Sequence, residues 1–311
     1  MNKKWASFFI GILLISSAGY ALVTGIFRAA IPIEIGKPKL RVITSFYPLY
    51  YFAGQIGGDK AVIINIAPAG AEPHDYEPTA QDMAQIEDSQ LVILNGLNLE
   101  PWGKSISQNT RSKNATIIMV GETLAIQPIL KEDKNSIDPH VWLSPVLAMQ
   151  MVDKIADGFV KVDPKNASFY TANASALKLK LDQLDAEYKQ GLGQCAQRDI
   201  VTSHAAFGYL AKTYHFNQIA ISGLSPDAEP LPRQFARIVD AAKKNKVRFI
   251  FFESLVSPKL SEALANEIGA KTLVLNPIEG LSDRELAQGK NYFTEMEINL
   301  AHLQTALECK I

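Results

Sequence analysis

Cysteine is nearly missing from this chain. Cys195 and Cys309 are the only two in 311 residues, and neither stands in a Cys-x-x-Cys pair, which excludes a dithiol redox motif and a zinc knuckle. None precedes Cys195, so an acylated N-terminal cysteine is not expected and the chain is read as not a lipoprotein. A charge surplus is absent too. With 31 Lys and Arg against 32 Asp and Glu, the net charge is −1, and no basic excess is available to displace the counterions of nucleic acid. Neither a His-Glu-x-x-His nor a Gly-x-Ser-x-Gly motif occurs, which argues against the commonest zinc-peptidase and serine-hydrolase sites. Sequence repeats and low-complexity tracts are lacking as well. Histidine is scarce, with five in all.

The N-terminus differs in kind from the rest. Lys3 and Lys4 precede an uncharged run over residues 5–27, closed by Arg28. That run is about the length of a membrane-spanning helix. Gly19-Tyr20-Ala21 offers a cleavage signal, so residues 1–30 are read as a signal peptide or an N-terminal membrane anchor. The lysines stay in the cytoplasm and the remainder is exported, to the periplasm or the cell surface. In such a compartment two cysteines are compatible with one disulfide. Pairing Cys195 with Cys309 would staple the C-terminus to the start of a second lobe.

Beyond a linker at 31–39, short apolar β-branched runs recur at 40–44, 61–66, 91–94 and 116–120, with helical patterns between most of them. From 145 to about 192 the pattern is helical throughout, interrupted only at Asp163-Pro164, read as an N-cap and first helical residue. Strand runs then resume at 200–202, 218–221, 247–252 and 272–275. Alternating strands and helices favour parallel sheets. The expected fold is α/β with two lobes, each a mostly parallel four-stranded sheet with flanking helices. The boundaries are 40–163 for the first lobe, 164–193 for a linking spine helix and 194–311 for the second lobe.

Three histidines fall where a strand or loop ends: His74 in Glu-Pro-His-Asp-Tyr-Glu-Pro, His140 in Asp-Pro-His-Val-Trp, and His204 in Thr-Ser-His-Ala-Ala-Phe. In open α/β sheets ligands bind beyond the carboxyl ends of the strands, so all three could face one cleft between the lobes. Three imidazoles and one carboxylate make a four-coordinate zinc set. Glu279 and Glu253 both compete for the carboxylate, and Glu253 reads better as a buried strand-end glutamate bonded to its loop. Asp75, Asp138 and Glu72 adjoin the histidines and could orient an imidazole. Trp142 could wall the site from water. His215 reads as a helix C-cap and His302 as solvent-facing.

With these motifs in order the chain resembles the metal-binding solute-binding proteins of bacterial ABC transporters, of the high-affinity zinc and manganese uptake type. The resemblance also rests on Gly-Leu-Ser-Pro-Asp-Ala-Glu-Pro at 223–230, Phe-Phe-Glu-Ser-Leu-Val-Ser-Pro at 251–258 and Leu-Asn-Pro-Ile-Glu-Gly-Leu at 275–281. It implies that His74, His140 and His204 are ligands, with Glu279 as the carboxylate. Many members carry an aspartate where this chain has Asn276. The histidine- and acid-rich loop of many zinc members is reduced here to Lys-Glu-Asp-Lys-Asn-Ser at 131–136.

The function so implied is capture of Zn²⁺ outside the cytoplasm by a monomer and delivery to an ABC transporter permease, without enzymatic activity. Mn²⁺ is the second choice, because its sites are richer in oxygen. Two rival readings stay open: a zinc-dependent hydrolase with an open fourth position, and a surface adhesin that holds zinc structurally.

Overall fold

The computed structural model describes residues 39–109, 115–122, 124, 137–226 and 230–310. The expected export segment at 1–30, most of the linker and the 131–136 stretch lie outside the described residues. Among those described, no helix is long and apolar enough to cross a membrane.

The first half follows strand, helix, strand. Strand β1 (Leu40–Thr44) leads to helix α1 (Tyr47–Gly57), then β2 (Ala61–Asn65), α2 (Ala80–Glu87), β3 (Leu91–Leu94), α3 (Gly103–Asn109) and β4 (Thr116–Met119). The sheet order is β2-β1-β3-β4, and every pairing is parallel. β3 reads Leu-Val-Ile-Leu with all four residues buried, as expected of a strand covered on both faces.

Two long helices come next. α4 (Pro145–Val162) packs along α5 (Ala167–Leu192), a helix of 26 residues and about 39 Å at 1.5 Å per residue. Its inward face is Tyr170, Ala174, Leu177, Leu181, Leu184, Tyr188 and Leu192, spaced three or four apart. This spine starts three residues later than the sequence suggests. Pro164–Asn166 forms a 3₁₀ turn instead, held by Asp163, whose Oδ2 accepts from Asn166 Nδ2 at 2.6 Å and Tyr170 Oη at 2.7 Å.

The second half repeats the plan with β5 (Asp199–Thr202), α6 (Gly208–Tyr214), β6 (Asn217–Ala220), α7 (Pro232–Lys244), β7 (Phe249–Phe252), α8 (Lys259–Ile268) and β8 (Lys271–Val274). Its sheet order, β6-β5-β7-β8, is parallel and echoes the first. Helices α9 (Asp283–Ala287) and α10 (Tyr292–Ala306) end the chain. Cys195 and Cys309 meet across an isolated antiparallel bridge, sulfur against sulfur.

The main core crosses from one sheet to the other. Phe52 and Leu91 from the first half, Tyr188 from the spine, and Leu275 and Tyr292 from the second half belong to one buried apolar cluster. With their interior shared in this way, the two sheets are held as one packed body. Segments beyond the carboxyl ends of both sheets converge where His74, His140, His204 and Glu279 meet.

Candidate metal centre

Each proposed ligand sits on a segment that the fold ties down. His74 lies in the loop after β2, between Pro73 and Pro78. Trp102 fastens this loop by donating its indole N–H to the Tyr76 carbonyl at 2.9 Å. At Thr79 a capping box with Asp82 starts α2. His140 follows β4 and opens a 3₁₀ turn, Val141–Leu143. The side-chain amide of Asn95 donates to the neighbouring Pro139 carbonyl at 3.0 Å. Below it, buried Glu100 accepts from the backbone N–H groups of Asn95 and Gly96 at 2.8 and 2.9 Å and from the Ser45 hydroxyl. Burial pushes the Glu100 carboxyl up in pKa, and those hydrogen bonds oppose the shift.

His204 comes two residues past β5, and Glu279 lies in the loop after β8. The loop carrying Glu279 touches the loop carrying His74 through the backbone. Gly70 N–H donates to the Leu281 carbonyl at 3.1 Å. Gly280 allows a close approach here: a Cβ at that position would come within 3.2 Å of the Ala71 carbonyl oxygen, and the two loops would have to part by a few tenths of an ångström.

Four donor atoms meet in a small volume. His140 Nε2 is 3.2 Å from His74 Nε2 and 3.2 Å from His204 Nε2. Glu279 Oε1 lies 3.2, 3.0 and 3.4 Å from the Nε2 atoms of His74, His140 and His204. All four residues offer a donor atom within 4.8 Å of the others. Zinc bonds of 2.0–2.1 Å in a tetrahedron require donors about 3.3 Å apart. The five separations fit that edge length. His140, His204 and Glu279 are buried, and His74 is partly exposed.

The outer nitrogens of His140 and His204 are spoken for. Asp138 Oδ1 accepts from His140 Nδ1 at 2.6 Å and also from the His140 backbone N–H at 2.9 Å. Glu253 Oε1 accepts from His204 Nδ1 at 2.6 Å and from the Ser203 hydroxyl. Because a carboxylate only accepts, each Nδ1 carries the hydrogen, and once the ring is neutral each Nε2 turns its lone pair inward. Trp142, fully buried, stands 5.2 Å from the His140 ring and excludes water from that side.

The metal-free electrostatics follow from this crowding. For His204 burial favours the neutral form, yet the charges of Glu253 and Glu279 outweigh it and hold the imidazole well above its ordinary pKa. His140 is raised in the same way, burial being overcome by Asp138 and Glu279. Burial would raise Glu279, but His204 and the hydrogen bonds from the imidazoles hold it well below the ordinary range. For Glu72 the compensation from the His74 backbone N–H and the His204 charge is too small. Burial first, then the Glu279 charge, push it up to about 9.

Several expectations change in detail. Glu72 does not orient an imidazole; it accepts the His74 backbone N–H at 3.3 Å. Glu253 is neither an inner ligand nor a simple loop brace, since it is the partner of His204. The Asn276 side chain is engaged by Glu295 and by the Ile278 N–H, not by the histidines. His215 does cap α6, in the left-handed conformation at φ 60°. His302 is half-buried, not wholly solvent-facing, and its Nδ1 lies 2.7 Å from the Val274 carbonyl.

Residues 42–306 match a family described as ZnuA, zinc-uptake complex component A, periplasmic. The chain belongs to this family. Such a protein binds the substrate of an uptake system and is not an enzyme. The high-affinity zinc uptake system protein ZnuA of Bacillus subtilis is 36% identical, with all of both chains covered. The zinc-binding lipoprotein AdcA of Streptococcus pneumoniae is 40% identical over 86% of this chain and 55% of its own length, so this chain spans about half of AdcA. A Zn(II)-bound structure of the ZnuA-like domain of that AdcA is 39% identical at a TM-score of 0.77, over 87% of this chain and all of the domain.

One expectation is corrected by these relatives. AdcA is named a lipoprotein. So is YcdH of Bacillus subtilis, a metal-dependent lipoprotein 40% identical at a TM-score of 0.76, over 86% of this chain and 99% of its own. Setting lipoproteins aside because no cysteine precedes Cys195 therefore does not stand. A missing cysteine bears on one mode of attachment and not on the fold, which named lipoproteins share. The extracytoplasmic placement agrees with the periplasmic description of the family.

Proposed function

We propose that this chain captures a single Zn²⁺ outside the cytoplasm, on His74, His140, His204 and Glu279, and hands it to the membrane permease of an ABC transporter. One observation carries the reading: four donor atoms from four separate segments stand at the edge lengths of a zinc tetrahedron, 3.0–3.4 Å. Zinc is favoured over manganese because three of the four donors are imidazoles. Four protein donors leave no position for an activated water, which suits carriage and not hydrolysis.

The ligands divide between the lobes, two from 40–163 and two from 194–311, joined by the spine at 164–193. A small displacement of one lobe against the other would break the set and release the ion. All four donors belong to one chain, so a monomer suffices. The lysine-flanked apolar run at 5–27 supports export through the N-terminal segment. The bridge between Cys195 and Cys309 supports a disulfide in an oxidising compartment.

Titration of the purified chain with Zn²⁺, with Mn²⁺ as competitor and elemental analysis of the product, tests the proposal. One Zn²⁺ per chain, not displaced by excess Mn²⁺, is the expected result. A chain that takes up no zinc, or prefers manganese, contradicts it.

A further inference from the structure

Helix α10 turns a polar stripe inward where an apolar one would ordinarily pack. Tyr292, Glu295 and Asn299 recur at three- and four-residue spacing, and none exceeds 2% exposure. Each spends its polar group on a segment that bears a proposed ligand.

Asn299 grips the backbone of Asn276 from both sides: its Oδ1 accepts the Asn276 N–H at 2.8 Å, and its Nδ2 donates to the Asn276 carbonyl at 2.7 Å. Glu295 Oε2 accepts from Asn276 Nδ2 at 3.0 Å. With its amide so oriented, Asn276 Oδ1 accepts the Ile278 N–H at 2.8 Å. This closes the turn that delivers Glu279 to the site. Ile278 takes φ 57° there, a conformation a β-branched residue adopts only when its surroundings impose it.

The same stripe reaches the other lobe. The Tyr292 hydroxyl donates to the Trp142 carbonyl at 2.6 Å, and the Trp142 indole N–H donates to the Pro277 carbonyl at 2.7 Å. The segment of His140 and the turn of Glu279 are thus fastened to each other and to one helix. That helix is itself fixed, since the spine residue Tyr188 donates to the Met296 carbonyl at 2.7 Å. A buried carboxylate is a costly choice for so local a task unless it is balanced. Here Lys290 lies 3.1 Å from Glu295 Oε1.

We propose that Glu295 is a positioning residue of the metal centre: by holding the Asn276 amide it imposes the turn that presents Glu279 to the three histidines. The inference rests on the zinc-capture reading and deepens it. Retention of the ion then depends on a helix that supplies none of its ligands.

The test compares variants of the whole chain by Zn²⁺ release into a chelator and by the visible bands of bound Co²⁺. Glu295→Ala should release Zn²⁺ about 10- to 100-fold faster, the range typical of an outer partner, and should weaken the four-coordinate Co²⁺ bands. Glu295→Gln should restore both, because its carbonyl still accepts from Asn276. Tyr292→Phe, which deletes a single hydroxyl, should move both readouts the same way by less. Wild-type release and unaltered bands in folded Glu295→Ala overturn the proposal. If that variant does not fold, wild-type values in both Tyr292→Phe and Asn276→Ala overturn it. A wild-type chain that binds neither Zn²⁺ nor Co²⁺ refutes the capture reading itself, and the positioning role falls with it.

Discussion

Glu253 holds His204 by its outer nitrogen, Oε1 to Nδ1 at 2.6 Å, across 49 residues of sequence. The sheet explains the meeting. Val201 on β5 stands level with Ile250 on β7, and three residues further on, just past the end of each strand, come His204 and Glu253. Parallel neighbours deliver the imidazole and its acceptor side by side.

Removing that acceptor should cost zinc affinity without touching an inner ligand. Glu253→Ala is expected to weaken binding about 10- to 100-fold, by freeing the ring to rotate and to change tautomer. Glu253→Gln should lose less, since its carbonyl can still accept from Nδ1. Calorimetric titration of the two variants checks this. Wild-type affinity in Glu253→Ala would leave the glutamate a loop brace only.

A similar comparison separates Glu279 from Asn276. Glu279→Gln should lose more affinity than any outer partner, because it removes the one anionic donor. Asn276→Ala should lose less, since Asn276 acts through the turn. The reverse order in parallel titrations would put the fourth donor at position 276.

Affinity should depend on pH with a definite sign. His204 and His140 hold protons more tightly in the metal-free protein than an ordinary imidazole, owing to the carboxylates around them. Zinc must displace those protons, so affinity falls as pH falls. The decline should begin above the unperturbed histidine value of about 6.5. Glu279, depressed in pKa, stays ionised across this range. Protons released per zinc bound, compared in buffers of different ionisation heat, measure the effect. No release at pH 7, with affinity flat down to pH 5, would contradict it.

Stripping the metal should lower stability without unfolding the chain. The shared apolar core, from Phe52 through Tyr188 to Tyr292, does not depend on the ion. At zinc a hundredfold above its dissociation constant the gain is about 2.7 kcal/mol, equivalent to roughly 5–11 °C in Tm for a body of this size. Thermal melts with and without chelator test this. Loss of helical circular dichroism on chelation would mean that the metal is structural.

Much of this was legible in the sequence because periodicity and motif coincide. The strand runs, the spine with its Leu177, Leu181 and Leu184 spacing, and the three histidines at strand ends are local patterns that a linear reading captures. What escaped it depends on strand order and on contacts between distant elements. Glu253 could be paired with His204 only once β5 and β7 are known to be neighbours. Asn276 stands where many members carry an aspartate, and its own role shows only through the contacts of Glu295 and Asn299 on the last helix. His302 sits on a helix that reads as exposed at that position, and it finds the Val274 carbonyl only through packing.

X-ray absorption at the zinc edge of the zinc-loaded chain addresses the coordination itself. Three imidazole nitrogens and one carboxylate oxygen at about 2.0–2.1 Å, with one zinc per chain, is the expected spectrum. A sulfur neighbour, fewer than three imidazoles, or a six-coordinate oxygen shell would contradict it.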